Sequence, residues 1–167
     1  MLSSSRWLAS LALVLTLGSL PAFAEDEHIR PDPSLTPGQS FPGVTVAEVC
    51  EPGYSSSVRH VTTAVRRRTF ANYGLSGNHT GYCSGEQGCE LDHLVSLELG
   101  GSNDVSNLWP EPYDGPWNAR IKDKLENRLH KLVCDGSISL PEAQRLEASD
   151  WIAAYKRFVG SDPLAMQ

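Results

Sequence analysis

Beyond residue 24 this sequence has no apolar run long enough to cross a bilayer, no internal repeat and no excess of basic residues. The first absence excludes a spanning helix there, since one takes about 20 consecutive apolar residues. The second excludes a solenoid or repeat array. The third argues against a protein that coats nucleic acid, whose footprint is broad and basic, but leaves room for an enzyme with a local basic patch. Cysteine is scarce as well, with four residues at positions 50, 83, 89 and 134.

What is present begins with residues 1–24, which read as a cleaved export signal. Arg6 supplies a positive start and Leu8 to Leu17 an apolar stretch too short to span with its own flanks. Ala22-Phe23-Ala24 is a small-x-small cleavage site, followed at once by Glu25-Asp26-Glu27. Cleavage removes Arg6 and no acidic residue, which leaves 13 Lys plus Arg against 20 Asp plus Glu and a net charge of −7. The mature 143 residues suit one domain, periplasmic or secreted and monomeric. In an exported chain four cysteines favour two disulfides. Cys83 and Cys89 bracket a short loop that brings them together locally, which leaves Cys50 for Cys134, although all three connectivities remain open. The rival is a structural zinc on Cys83, Cys89 and a histidine, at a separation looser than the usual knuckle.

Residues 25–45 are Pro-rich and read as an extended leader, 46–160 as the folded domain and 161–167 as a tail. Val44 to Val49 is a short β-like run. Ser55-Ser56-Ser57 can cap a helix that turns Val58, Val61, Val65 and Phe70 inward and Arg59, Arg66, Arg67 and Arg68 outward. Residues 72–89 form a loop, in which Asn78-His79-Thr80 matches a glycosylation triplet of consequence only in a eukaryotic secretory host. Leu91 to Leu99 is a strand, Gly100-Gly101 a turn and Val105 to Trp109 a second strand, after which Pro110, Pro112 and Pro116 break the chain. Asn118 to Cys134 is a helix with Ile121, Leu125, Leu129, Leu132 and Val133 inward. Ser139 and Glu142 cap another, with Ala143, Leu146, Trp151 or Ile152, Tyr155 and Phe158 inward. The fold class is α+β, a small antiparallel hairpin packed by about three helices.

The chemistry concentrates between residues 90 and 122. Cutting a phosphodiester takes an activated water, neutralisation of the phosphoryl oxygens and help for the departing oxygen. His93 can take the proton, because an imidazole titrates near neutrality. Asp92 is a hard oxygen ligand suited to Mg²⁺. Adjacent residues of a regular strand point to opposite faces, so the two can cooperate only where the strand bends or ends. Asn107, folded back across the Gly-Gly turn, can orient the imidazole. Asn118 and Lys122 lie one helical turn apart and face the same way. Asn118 is placed as second ligand, Lys122 as a phosphate contact, with Arg120, Arg66 and Arg67 as further substrate contacts. The basic run at Arg66–Arg68 serves equally well as a solvated helix face, and Asn118 as a plain helix cap.

Residues 92–113, DHLVSLELGGSNDVSNLWPEPY, together with ARIKDKLE at 119–126 and the segment 133–144, resemble the exported branch of the HNH-type endonucleases, whose core is a ββα-metal finger. The resemblance covers about residues 50–155 and is strongest at 90–126. It implies His93 as general base, Asn107 as its orienter, Asp92 and Asn118 on one divalent ion (Mg²⁺ first, Mn²⁺ or Zn²⁺ as alternatives) and products with 5′-phosphate and 3′-hydroxyl ends. The implied substrate is DNA, with RNA as the alternative, since nothing reads a base edge or a 2′-hydroxyl. Two departures stand out: the zinc ribbon that braces many such fingers is missing, and the interval from Asn107 to Asn118 is long and holds three prolines. The second ligand then has Glu111, Asp114 and Asp123 as alternatives. From a different class comes an inactive disulfide-stapled exported domain that keeps the finger but binds without cutting.

Overall fold

The computed structural model describes residues 28–75, 88–161 and 163. The signal segment, the glycosylation triplet and Cys83 lie outside these residues. Among the described residues, five helices, α1 (Val46–Val49), α2 (Tyr54–Val58), α3 (Thr63–Asn72), α4 (Ala119–Cys134) and α5 (Leu140–Phe158), surround one antiparallel hairpin of β1 (Cys89–His93) and β2 (Leu108–Pro112). This is the α+β architecture expected from the sequence. No helix among the described residues is long and apolar enough to cross a membrane.

The main core lies between α4 and α5. Ile121, Leu125, Leu129 and Val133 face Ala143, Trp151, Ile152 and Tyr155, all buried. The choice between Trp151 and Ile152 dissolves, because non-helical backbone at Asp150 kinks α5 and lets both turn inward. Trp117 packs edge-on against Trp151 and Tyr155 at 5.9 and 5.4 Å, and the Trp151 indole N–H donates to Ile29 O at 3.0 Å. Asn118 and Ser139 cap α4 and α5 through their side chains. Cys50–Cys134 is a disulfide, as the leftover pairing suggested. Closing a separation of 84 residues, it constrains the unfolded chain by about 4–5 kcal/mol. Cys89 is also disulfide-bonded.

Several local expectations give way to tertiary context. Thr45 and Glu48 form a reciprocal capping box, so the run read as β-like is the helix α1. The single helix expected after Ser55–Ser57 is two, because α2 ends at Val58 and Thr62 starts α3 with its own side-chain cap. The first strand stops at His93, and Leu97–Leu99 is a 3-10 turn. The second runs through Pro110 and Pro112, which were read as breakers. Tyr113 N–H donates to Gly88 O and Leu94 N–H to Asn107 O, so the hydrogen-bonded pairs are 88/113 and 94/107. Pro110 and Pro112, opposite Leu91 and Cys89, fall on the non-bonded positions and cost the ladder nothing.

The described part of the Pro-rich segment, residues 28–45, is irregular chain with turns at 33–35 and 42–43, and it belongs to the folded body. Ile29 and Thr36 are buried, the Arg30 guanidinium meets Asp150 at 3.1 Å, and Gly38 and Phe41 donate to Ser106 O and Gly100 O. The Gly-Gly turn has a steric reason: a Cβ on Gly101 would sit 1.7 Å from Val95 O, and one on Gly100 (φ +76°) would strike Val44.

Candidate functional site

In β1 the side chains alternate. Asp92, like Glu90, lies on the face whose cross-strand partners are Trp109 and Glu111, and this face meets α4. His93 points the other way, toward α2 and the loop after the Gly-Gly turn, where its Nε2 lies 3.0 Å from Asn103 Oδ1. The strand ends at His93, which is what a joint role of these neighbours requires.

The orientation of Asn103 follows from its other bond. Its amide Nδ2 donates to Val58 O at 2.7 Å, so Oδ1 faces the imidazole and Nε2 carries the proton. That leaves the lone pair on Nδ1. Burial lowers the His93 pKa below 6.5; Asn103 and Asp92 oppose the shift and Arg59 adds to it. The ring is therefore neutral at neutral pH, the form a general base needs. It is also well covered, at 3 % exposure.

Asn107 does not orient His93. Its Oδ1 accepts from Gln39 N–H and Val95 N–H, and its Nδ2 donates to Val95 O and Ser102 O, all between 2.9 and 3.1 Å. One fully buried amide thus holds the loop between the strands and ties the N-terminal segment to it. Truncation to Ala strands several buried main-chain groups, so Asn107→Ala is expected to destabilise the fold by on the order of 3 kcal/mol. Urea unfolding checks this, and a loss under about 1 kcal/mol would show the loop held by other means.

Lys122 is not a surface phosphate contact either. It is fully buried, and its ammonium donates to Asp92 Oδ2 and His93 O at 2.7 Å each and to Glu126 Oε1, with Glu111 Oε2 at 3.8 Å. Burial alone would depress the lysine, but the Asp92, Glu126 and Glu111 carboxyls more than offset it and hold it charged. Asp92 responds in kind. Burial would raise it, yet Lys122 brings it down to about 2, so it is ionised. One ammonium cannot balance the rest, and burial pushes Glu111 and Glu126 well up and Glu147 to about 7. Burial pushes Glu111 toward its protonated form, and its carboxyl shares a hydrogen bond with that of Asp92, which keeps the charge.

Glu147 gives this cluster a pH signature. Its Oε2 accepts Ser96 N–H at 2.7 Å. Because its folded pKa, about 7, lies above the usual 4.5, its contribution to stability is complete below pH 4.5 and lost as pH rises through 7. Glu147→Gln keeps an acceptor for Ser96 and should flatten the fall in urea midpoint across that window. A variant with the wild-type slope would place the proton elsewhere.

Asn118 is an N-cap. Its Oδ1 accepts Ile121 N–H at 3.2 Å and its Nδ2 donates to Gly115 O at 2.8 Å, so both polar atoms are engaged away from Asp92. Of the alternative ligands, Glu111 is sealed against Lys122, whereas Asp123 is exposed on α4. Desolvation by the packed cluster beside its otherwise accessible side chain, together with the Asp92 charge, raises the Asp123 pKa, and desolvation and Asp92 likewise raise that of Glu90. Among the described residues, no three Asp, Glu, His or Cys side chains with ligand atoms mutually within 4.8 Å include Asp92. At most two such ligand atoms, counting its own, therefore come together at Asp92.

Of the arginines, Arg59 lies within electrostatic reach of both His93 and Asp123, and Arg120 stacks its guanidinium over the Tyr113 ring at 4.9 Å beside Asp123. Arg66 and Arg67 are exposed on α3, as the outward face required. Asn103 was not distinguishable from Asn107 in a loop that offers both. Lys122 carried a signal in its spacing, since 122, 125 and 129 form one inward helical row.

Comparisons with family models, curated proteins and solved structures give no match for this chain.

Proposed function

We propose that the chain is an exported, metal-dependent endonuclease of HNH type that hydrolyses phosphodiester bonds with little sequence preference, DNA first and RNA as the alternative. One observation carries the reading: a neutral imidazole with a defined tautomer and an ionised carboxylate are adjacent at the end of a hairpin strand that a helix backs. The order hairpin then helix supports a ββα-metal finger, and the Cys50–Cys134 disulfide supports an oxidising destination.

In this reading His93 Nδ1 accepts the proton of a water that attacks phosphorus in line, while Asn103 holds the other nitrogen. Asp92 and Asp123 would hold the cation. A bound Mg²⁺ would neutralise phosphoryl charge and stabilise the departing 3′ oxygen. Lys122 keeps Asp92 ionised and fixes one of its oxygens, and Arg59 and Arg120 supply positive charge for phosphate. Purified mature protein should nick supercoiled plasmid with Mg²⁺ or Mn²⁺ and stop in EDTA. Absence of cleavage with every divalent metal tried would end the proposal. The burial of His93 favours a second reading, a stapled domain that binds without cutting.

A further inference from the structure

Toward the C-terminal end of α4, His130 Nε2 lies 3.4 Å from Cys134 Sγ, and one ligand atom each from Cys50, His130 and Cys134 fall within 4.8 Å of one another. While the sulfurs are joined they have no thiolate to offer. We propose that the reduced Cys50–Cys134 pair and His130 form a zinc-type metal site, so that this point of the fold is closed either by a disulfide or by a metal.

The geometry is close to what such a site needs. Zn–S near 2.3 Å and Zn–N near 2.0 Å in a tetrahedron put sulfur and nitrogen roughly 3.5 Å apart. Cys134 is exposed, and a cleft of about 200 Å³ lined by Cys50, Tyr54, Glu98 and His130 opens beside the pair and leaves room for a water as fourth ligand. Glu98 Oε2, buried and without a hydrogen-bond partner, lies 3.9 Å from His130 Nδ1. A carboxylate behind the second ring nitrogen is how ligating histidines are commonly oriented. In the disulfide form Nε2 donates its proton to Val49 O at 2.9 Å. Ligation moves the proton to Nδ1, facing Glu98, and frees Nε2.

The chemistry balances. A dithiol reductant exchanges with the disulfide to give two cysteine thiols and its own disulfide, and the newly exported chain already carries both thiols. Zinc then displaces two protons, one from each thiol, and binds neutral His130.

The test uses the mature chain with Cys83→Ser and Cys89→Ser, reduced under argon and titrated with Co²⁺. One equivalent should give thiolate charge-transfer and tetrahedral visible bands, and Zn²⁺ should displace them. Adding His130→Ala should weaken Co²⁺ binding at least tenfold, and Zn²⁺ should slow re-oxidation by oxidised glutathione. If reduction unfolds the chain, Zn²⁺ should restore its far-ultraviolet dichroism. No tetrahedral spectrum, a spectrum indifferent to His130→Ala, or a reduced chain that stays unfolded in Zn²⁺ overturns the proposal.

Discussion

His93→Ala should lower metal-dependent plasmid cleavage by about 10²–10⁴-fold, the usual worth of a positioned general base. Neither immediate neighbour replaces the imidazole: Asp92 is tied to Lys122, and Asn103 is not basic. Burial holds the folded pKa below 6.5. The acid limb of kcat/KM should accordingly fall below pH 6.5, with full activity above it. The same shift links to stability, because the depressed ring stays neutral while the unfolded chain takes up a proton. Stability should thus decline as pH drops through 6.5. Thermal unfolding run beside the assay separates lost chemistry from lost fold. Undiminished cleavage by a folded His93→Ala protein would dismiss this residue as the base.

Lys122→Met should cost about 3–5 kcal/mol of stability, the usual consequence of removing one partner from a buried ion pair. Met keeps most of the stem and removes the charge. Asp92 then loses the cation that holds it ionised, and His93 O and Glu126 lose a donor. Since the ammonium also joins β1 to α4, any cleavage activity should fall with it. The double variant Lys122→Met, Asp92→Asn should recover part of the loss, because a neutral amide no longer needs a buried counter-charge. Urea midpoints give both numbers. A single variant within about 1 kcal/mol of the parent would mean the cluster is already neutral throughout and that Lys122 is ordinary packing.

The helices around the core were legible because their signals are local. Ser139 and Asn118 announce caps, and the recurrence of Ile121, Leu125, Leu129 and Val133 defines a face whatever it packs against. Pro110 and Pro112 misled for the opposite reason. A proline is excluded from a ladder only where its N–H is needed, and that depends on register, which is a property of the partner strand. Much the same holds for the N-terminal segment, whose composition reads as a leader outside the folded domain but whose main chain finds partners at Gly100, Gly101 and Ser106.

The candidate site divides along that line. Residue order alone determined that Asp92 and His93 adjoin, that a Gly-Gly turn follows and that a helix with Asn118 at its start comes next. Which asparagine meets the imidazole, whether a lysine faces phosphate or carboxylates, and which acids keep their protons were decided only when four elements closed around Lys122. Charge in a protein interior is settled by desolvation and by neighbours distant in sequence, and neither exists until the chain has packed.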